Sequence, residues 1–178
     1  MTPVQSALWT VLGVALVISV VTDVLRRRIL DVVTYPLVVI ALGARLWTEG
    51  MGDLDKGLIS GLVSGVGLAV ILVPGALRGK MGWGDVKLMG GVGAVLGFPA
   101  VMAAAAFISL AGAFQAVVTM IWKGEVWDTL SAVLRRWAIR ARLLSADAAP
   151  AAPRHIPYGV AIALGTFWAM WWQQTNSS

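Results

Sequence analysis

Long apolar stretches alternate with short polar ones along the chain. Residues 1–22, 57–77 and 88–122 contain no Asp, Glu, Lys or Arg. A helix needs about 20 apolar residues to cross the hydrocarbon layer of a bilayer. The pattern predicts six crossings, at residues 4–22, 32–47, 57–77, 85–97, 99–122 and 156–172. The fourth and fifth come from one uncharged run, too long for a single crossing and broken at Gly97-Phe98-Pro99. The second carries Arg45 near its end, within snorkelling reach of the surface. The sixth ends in Trp168, Trp171 and Trp172, which suits an aromatic belt at the interface. The expected fold class is all-α: a polytopic integral membrane protein, one membrane-embedded domain over residues 1–178.

The connection at 123–154 is the longest. Trp127, Leu130, Leu134, Trp137, Ala141 and Leu144 recur there at helical spacing, with Arg135, Arg136, Arg140 and Arg142 between them. This predicts a basic amphipathic helix lying on a leaflet, as an anchor or a docking surface for substrate. Residues 145–153, rich in Ala and Pro, read as a linker. Gly57, Gly61 and Gly65 form a stripe on the third span. Such a stripe lets helices approach closely, inside the monomer or across a homodimer.

Composition agrees with this reading. The chain is 58% hydrophobic and 13% charged, about half the charge of a typical soluble domain. Its net charge of +5 does not point to nucleic acid, because the basic residues sit in short connections. All but two of the 14 Lys and Arg fall in the first, third and fifth connections; Arg45 and Lys56 flank the second. By the positive-inside rule the odd connections are cytoplasmic and both termini lie on the outer side. The first span has no basic residue before it and reads as retained rather than as a signal peptide. The absence of cysteine excludes disulfides and cysteine-ligated metals, and one histidine, His155, leaves little for a metal site.

The topology places Asp23, at the end of the first span, and Asp85, at the start of the fourth, on the same side. Ionisable groups at membrane depth are costly and usually functional. The fourth span, at about 20 Å, is shorter than the roughly 30 Å hydrocarbon core, so Asp85 is expected to be recessed. Two carboxylates, one ionised and one protonated, can activate a water and protonate a leaving amine. Asp85 stands at a helix N-terminus and Asp23 at a C-terminus, which predicts Asp85 as the base and Asp23 as the acid. Gly82 and Gly84 can supply positive φ, a sharp turn and room for a substrate strand. Asp31 is a second candidate acid. Lys87, one helical step from the pair, could hold substrate carbonyls, bias the dyad, or only snorkel.

Gly82-Trp83-Gly84-Asp85-Val86-Lys87 resembles the Gly-x-Gly-Asp motif of type IV prepilin peptidases, in its Gly-x-Gly-Asp-x-Lys form. Asp23 followed by Arg26–Ile29 resembles that family's first aspartate motif, and Ile156-Pro157-Tyr158-Gly159, with Ala163 and Gly165 beyond, its last-helix motif. Leu30 and Asp31 stand where the family has Pro and Asn. The resemblance implies cleavage of a short basic leader from prepilin or pseudopilin substrates at the cytoplasmic face of the inner membrane. It implies Asp23 and Asp85 as the catalytic pair, with Gly82, Gly84, Lys87, Pro157, Tyr158 and Gly159 supporting them, and no metal or cofactor. The chain lacks the cysteine-bearing insert of the longer, methylating members. It is similar to the short form serving tight-adherence (Flp-type) pili, and no methyltransferase activity is expected. Two other readings stay open: a non-catalytic membrane component of pilus or secretion assembly, and a small proton-coupled transporter. A presenilin-type peptidase is disfavoured because its Tyr-Asp motif is absent.

Overall fold

The computed structural model describes residues 3–26, 28–79, 81–124, 126–140 and 158–176. Among them there are helices and connections but no strand. The helices are α1 (Pro3–Arg26), α2 (Asp31–Glu49), α3 (Gly57–Leu77), α4 (Trp83–Leu96), α5 (Ala100–Trp122), α6 (Val126–Arg140) and α7 (Gly159–Asn176). The expected all-helical class holds. Four helices, α1, α2, α3 and α5, are long and apolar enough to cross a membrane. Large apolar side chains such as Val14, Val66, Ile71, Met102 and Phe114 are exposed on three of them, as a lipid-facing surface requires.

The predicted crossings differ from the helices in instructive ways. The first extends to Arg26, so Asp23 lies within the last turn of α1 rather than at its end. The sixth begins at Gly159, not 156, and runs on through Gln173, Gln174 and Asn176. Its Trp168 does more than mark an interface: it stacks on Phe107 of α5 with ring centroids 5.1 Å apart, and Trp172 meets the same ring edge-on at 6.3 Å. Within the 123–154 connection α6 is helical, and Trp127, Leu130, Leu134 and Trp137 on it are exposed. Ala141, Leu144 and the predicted linker lie outside the described residues.

The short α4 is the centre of the bundle. It packs against α1, α2, α3, α5 and α7, and from Leu88 to Leu96 all but Gly90 is buried. Its 14 residues make about 21 Å, so it cannot reach both surfaces of a bilayer. It can lie so deep because glycines on both helices bring it close to α3. A Cβ at Gly93 would run into the Ser64 carbonyl of α3, and one at Gly65 would stand 2.9 Å from the Gly90 carbonyl oxygen. The glycine stripe on α3 is thus occupied by α4 at Gly61 and Gly65, which favours the monomer reading of that stripe over a dimer face.

A helix that stops inside the protein leaves its last carbonyls without partners. Here Arg45 supplies them. It does not snorkel outward but turns in, its Nε donating to the Ala94 carbonyl at 3.0 Å and one terminal nitrogen to Val95 at 2.9 Å. Gly97 ends α4 with φ +69, and any Cβ there would overlap the Arg45 guanidinium. Glu49, one turn on, lies 3.6 Å from Arg45 and accepts the Gly57 N–H that opens α3, at 2.6 Å. One ion pair therefore closes the end of α4 and the start of α3. The connection to α5 follows, with a cis Phe98–Pro99 peptide and the Phe98 N–H donating to Ser60 Oγ at 2.9 Å.

Replacing Arg45 by Met removes charge-assisted bonds to buried carbonyls and should cost about 2–3 kcal/mol. Thermal unfolding in detergent should show Arg45→Met well below wild type and Arg45→Lys between them.

Candidate active site

The end of the bundle where α1 finishes and α2, α4 and α7 begin encloses a cavity of about 450 Å³. Its wall is built from the last turn of α1, the 28–31 connection and the first turn of α4, and it includes both Asp23 and Asp85. Each of these residues is only 5% exposed. Two carboxylates distant in sequence are therefore brought to one cavity and withdrawn from bulk water. Asp85 is recessed, as the shortness of its helix predicts.

Each carboxylate is oriented by a backbone amide at a helix start. Asp85 is the third residue of α4, and its Oδ2 accepts the Gly82 N–H at 3.1 Å. Asp23 Oδ2 accepts the N–H of Gly159, the first residue of α7, also at 3.1 Å. A Cβ at Gly159 would stand 2.7 Å from that oxygen, so glycine is needed for the approach. This corrects one expectation. The division into base and acid assumed that only Asp85 faces a positive helix end. Asp23 sits in the last turn of α1, but its carboxylate is turned onto the N-terminus of α7, so the dipole argument no longer separates the two.

The glycines of the motif also act otherwise than expected. Gly82 has an ordinary extended backbone, φ −76 and ψ 149, and neither it nor Gly84 takes positive φ. Gly84 matters for closeness: a Cβ there would lie 2.8 Å from Ile29 Cβ. Its absence lets the segment that follows Asp23 press against the first turn of α4. Leu30, where the resembled family has proline, precedes α2 with φ −82 and ψ 127. That is close to the backbone a proline prefers, so the departure leaves the local path intact.

Asp31 and Lys87 border the same cavity. Lys87 Nζ donates to both Asp31 oxygens, at 2.8 and 2.9 Å, and lies 4.9 Å above the Tyr35 ring. Asp31 is thus an exposed, ion-paired carboxylate, in contrast to the two buried ones. Tyr158 immediately precedes α7, half-buried, close enough to Asp85 to feel its charge. A Cβ at Gly112 of α5 would collide with the Tyr158 ring and hydroxyl, so that glycine makes room for the phenol. Arg27, Lys80, His155 and Pro157 lie outside the described residues. The sequence reading missed the Arg45 clamp and the Asp31–Lys87 pair. The first had a signal, a lone arginine inside an apolar span; the second had none until the fold brought α2 beside α4.

The family model of the type IV leader peptidases matches residues 10–117, a stretch that contains both aspartates and α2 to α4. The chain belongs to that family. No curated protein and no solved structure matches it. Membership makes it a membrane-embedded peptidase.

Gly84→Ala should push Ile29 away and destabilise the fold by about 1–3 kcal/mol. Adding Ile29→Ala should recover part of the loss, and a double-mutant cycle of unfolding free energies checks the coupling.

Proposed function

We propose that the chain is an aspartyl endopeptidase that removes the leader of type IV prepilin-like proteins at the cytoplasmic face of the membrane, with Asp23 and Asp85 as its catalytic pair. The observation that carries this reading is the burial of those two carboxylates in one cavity at one end of the bundle. A pair of this kind suits peptide hydrolysis. One carboxylate, ionised, takes a proton from water as the water attacks the scissile carbonyl. The other, protonated, donates first to the carbonyl oxygen and then to the departing amine. Because the proton is shared, acid and base are properties of the pair. The backbone N–H groups of Gly82 and Gly159 hold the carboxylates in orientation, and a fixed pair spends less of the barrier on alignment.

Asp31 is the weaker candidate, since Lys87 already neutralises it and it faces solvent. Tyr158 stands where its hydroxyl can steady the pair or the substrate. The distribution of Lys and Arg supports six crossings, with α4 and α7 as the two short ones, both termini outside and the aspartates toward the cytoplasm. α4 takes the place of the fourth crossing as a helix sunk among the others, too short to reach both surfaces itself. Exposed Trp127 and Trp137 on α6, among arginines, support its lying on the cytoplasmic leaflet. The sequence carries no cysteine between its helices, which supports the Flp-type short form without methyltransferase activity. Leu30, where the family has proline, keeps a proline-like backbone, so this departure does not favour a non-catalytic assembly component.

Asp23→Asn and Asp85→Asn should each reduce cleavage of a prepilin-like substrate in proteoliposomes by about 10³-fold or more while leaving the unfolding midpoint close to wild type. Asp31→Asn should lose far less. Processing that continues unchanged with both buried aspartates neutralised contradicts the proposal.

A further inference from the structure

The aspartate cavity does not stand alone. Lys87, on its rim, also lines a second hollow, a groove of about 290 Å³ along the outside of the bundle between α2, α3 and α4. Thr34 and Tyr35 stand beside Lys87 at the end nearest the cavity. Farther along, the walls are Val38 and Leu42 from α2, Val66 and Ala69 from α3, and Gly90 and Ala94 from α4. From Val86 to Ala94 the α4 wall rises about 12 Å, or roughly two helical turns. Another hollow, about 620 Å³ between α1 and α7, shares no residue with the aspartate cavity.

The chemistry of the two hollows, which meet at Lys87, limits what can bind across both. The cavity offers carboxylates, cations and the backbone of the Gly82–Asp85 turn. The groove offers apolar side chains, on helices whose backbone groups are already bonded internally. An extended segment lying there would leave its own amides without partners next to lipid; only a helix satisfies them itself. The occupant is therefore a chain that is polar and extended at the aspartates and becomes an apolar helix within a few residues of the scissile bond. We propose that the α2–α3–α4 groove is the docking site for the membrane helix of the substrate, with Lys87 at the point where the substrate passes from the polar cavity to the apolar wall. This rests on the peptidase reading above and adds where the uncut remainder of the substrate lies. The groove takes one ridge of side chains, and the opposite face of the guest helix meets lipid.

The protein contains no cysteine, so single cysteines report without background. Val66→Cys lies on the groove, and Val14→Cys lies on the α1–α7 hollow; both positions are exposed. Each is placed in the Asp85→Asn variant and reconstituted with a probe substrate. The probe is a basic leader ending in glycine, followed by an apolar helix of about 20 residues with one cysteine two turns past the glycine. With a short bismaleimide, substrate cross-linking at Val66→Cys should exceed that at Val14→Cys by about fivefold or more. Equal yields, a preference for Val14→Cys, capture of a second copy of the protein, or reaction only with a maleimide on a lipid acyl chain each overturn the proposal. In the catalytically intact protein, Val66→Trp should raise KM for the helix-bearing probe by about fivefold more than for a peptide ending a few residues past the glycine. Equal effects on the two, or none, also overturn it. If the unaltered protein cuts the probe but Val66→Cys captures nothing, the groove assignment alone fails. If the unaltered protein cuts neither probe, the peptidase reading falls and takes this one with it.

Discussion

The bond from Arg45 to the end of α4 is the constraint on which the site depends. A helix of 14 residues cannot span a bilayer and cannot stop inside one with its carbonyls bare. By closing Ala94 and Val95, Arg45 allows α4 to end early, and a helix that ends early can be sunk among its neighbours. The glycines on both sides of the α3–α4 contact then bring it close enough to be buried almost all round. The depth of Asp85 follows from that burial. The stability of one end of α4 and the desolvation of the acid at its other end are thus one problem with one solution.

Two further approaches complete the cavity, and both turn on glycine for want of space rather than for unusual dihedral angles. Gly84 admits Ile29, which draws the segment after Asp23 toward the first turn of α4. Gly159 admits the Asp23 carboxylate itself to the first amide of α7. The consequence is symmetrical electrostatics: each acid lies against a helix start, though only one belongs to the helix it faces.

Much of this was legible in the residues alone. Apolar runs match α2, α3 and α5 to within a residue or two, and the alternation of basic connections places Asp23 and Asp85 on one side. What the sequence did not disclose were contacts between elements. Arg45 reads as a snorkelling residue, because apolar spacing says nothing about which neighbour ends beside it. Gly82 and Gly84 read as turn residues, because a glycine needed for close packing looks identical to one needed for its backbone. Asp23 reads as belonging to a helix C-terminus, and nothing in residues 1–30 announces that the start of α7 will meet it. The Asp31–Lys87 pair was hidden for the same reason.

The tie between Asp23 and Gly159 has a bearing on biosynthesis. Residue 159 leaves the ribosome late, after every other helix described here has been made. Until then Asp23 lacks the amide that orients it. A nascent or truncated chain therefore carries both acids without the arrangement that makes them useful. On the peptidase reading proposed above, activity waits for the last of the described helices to be made.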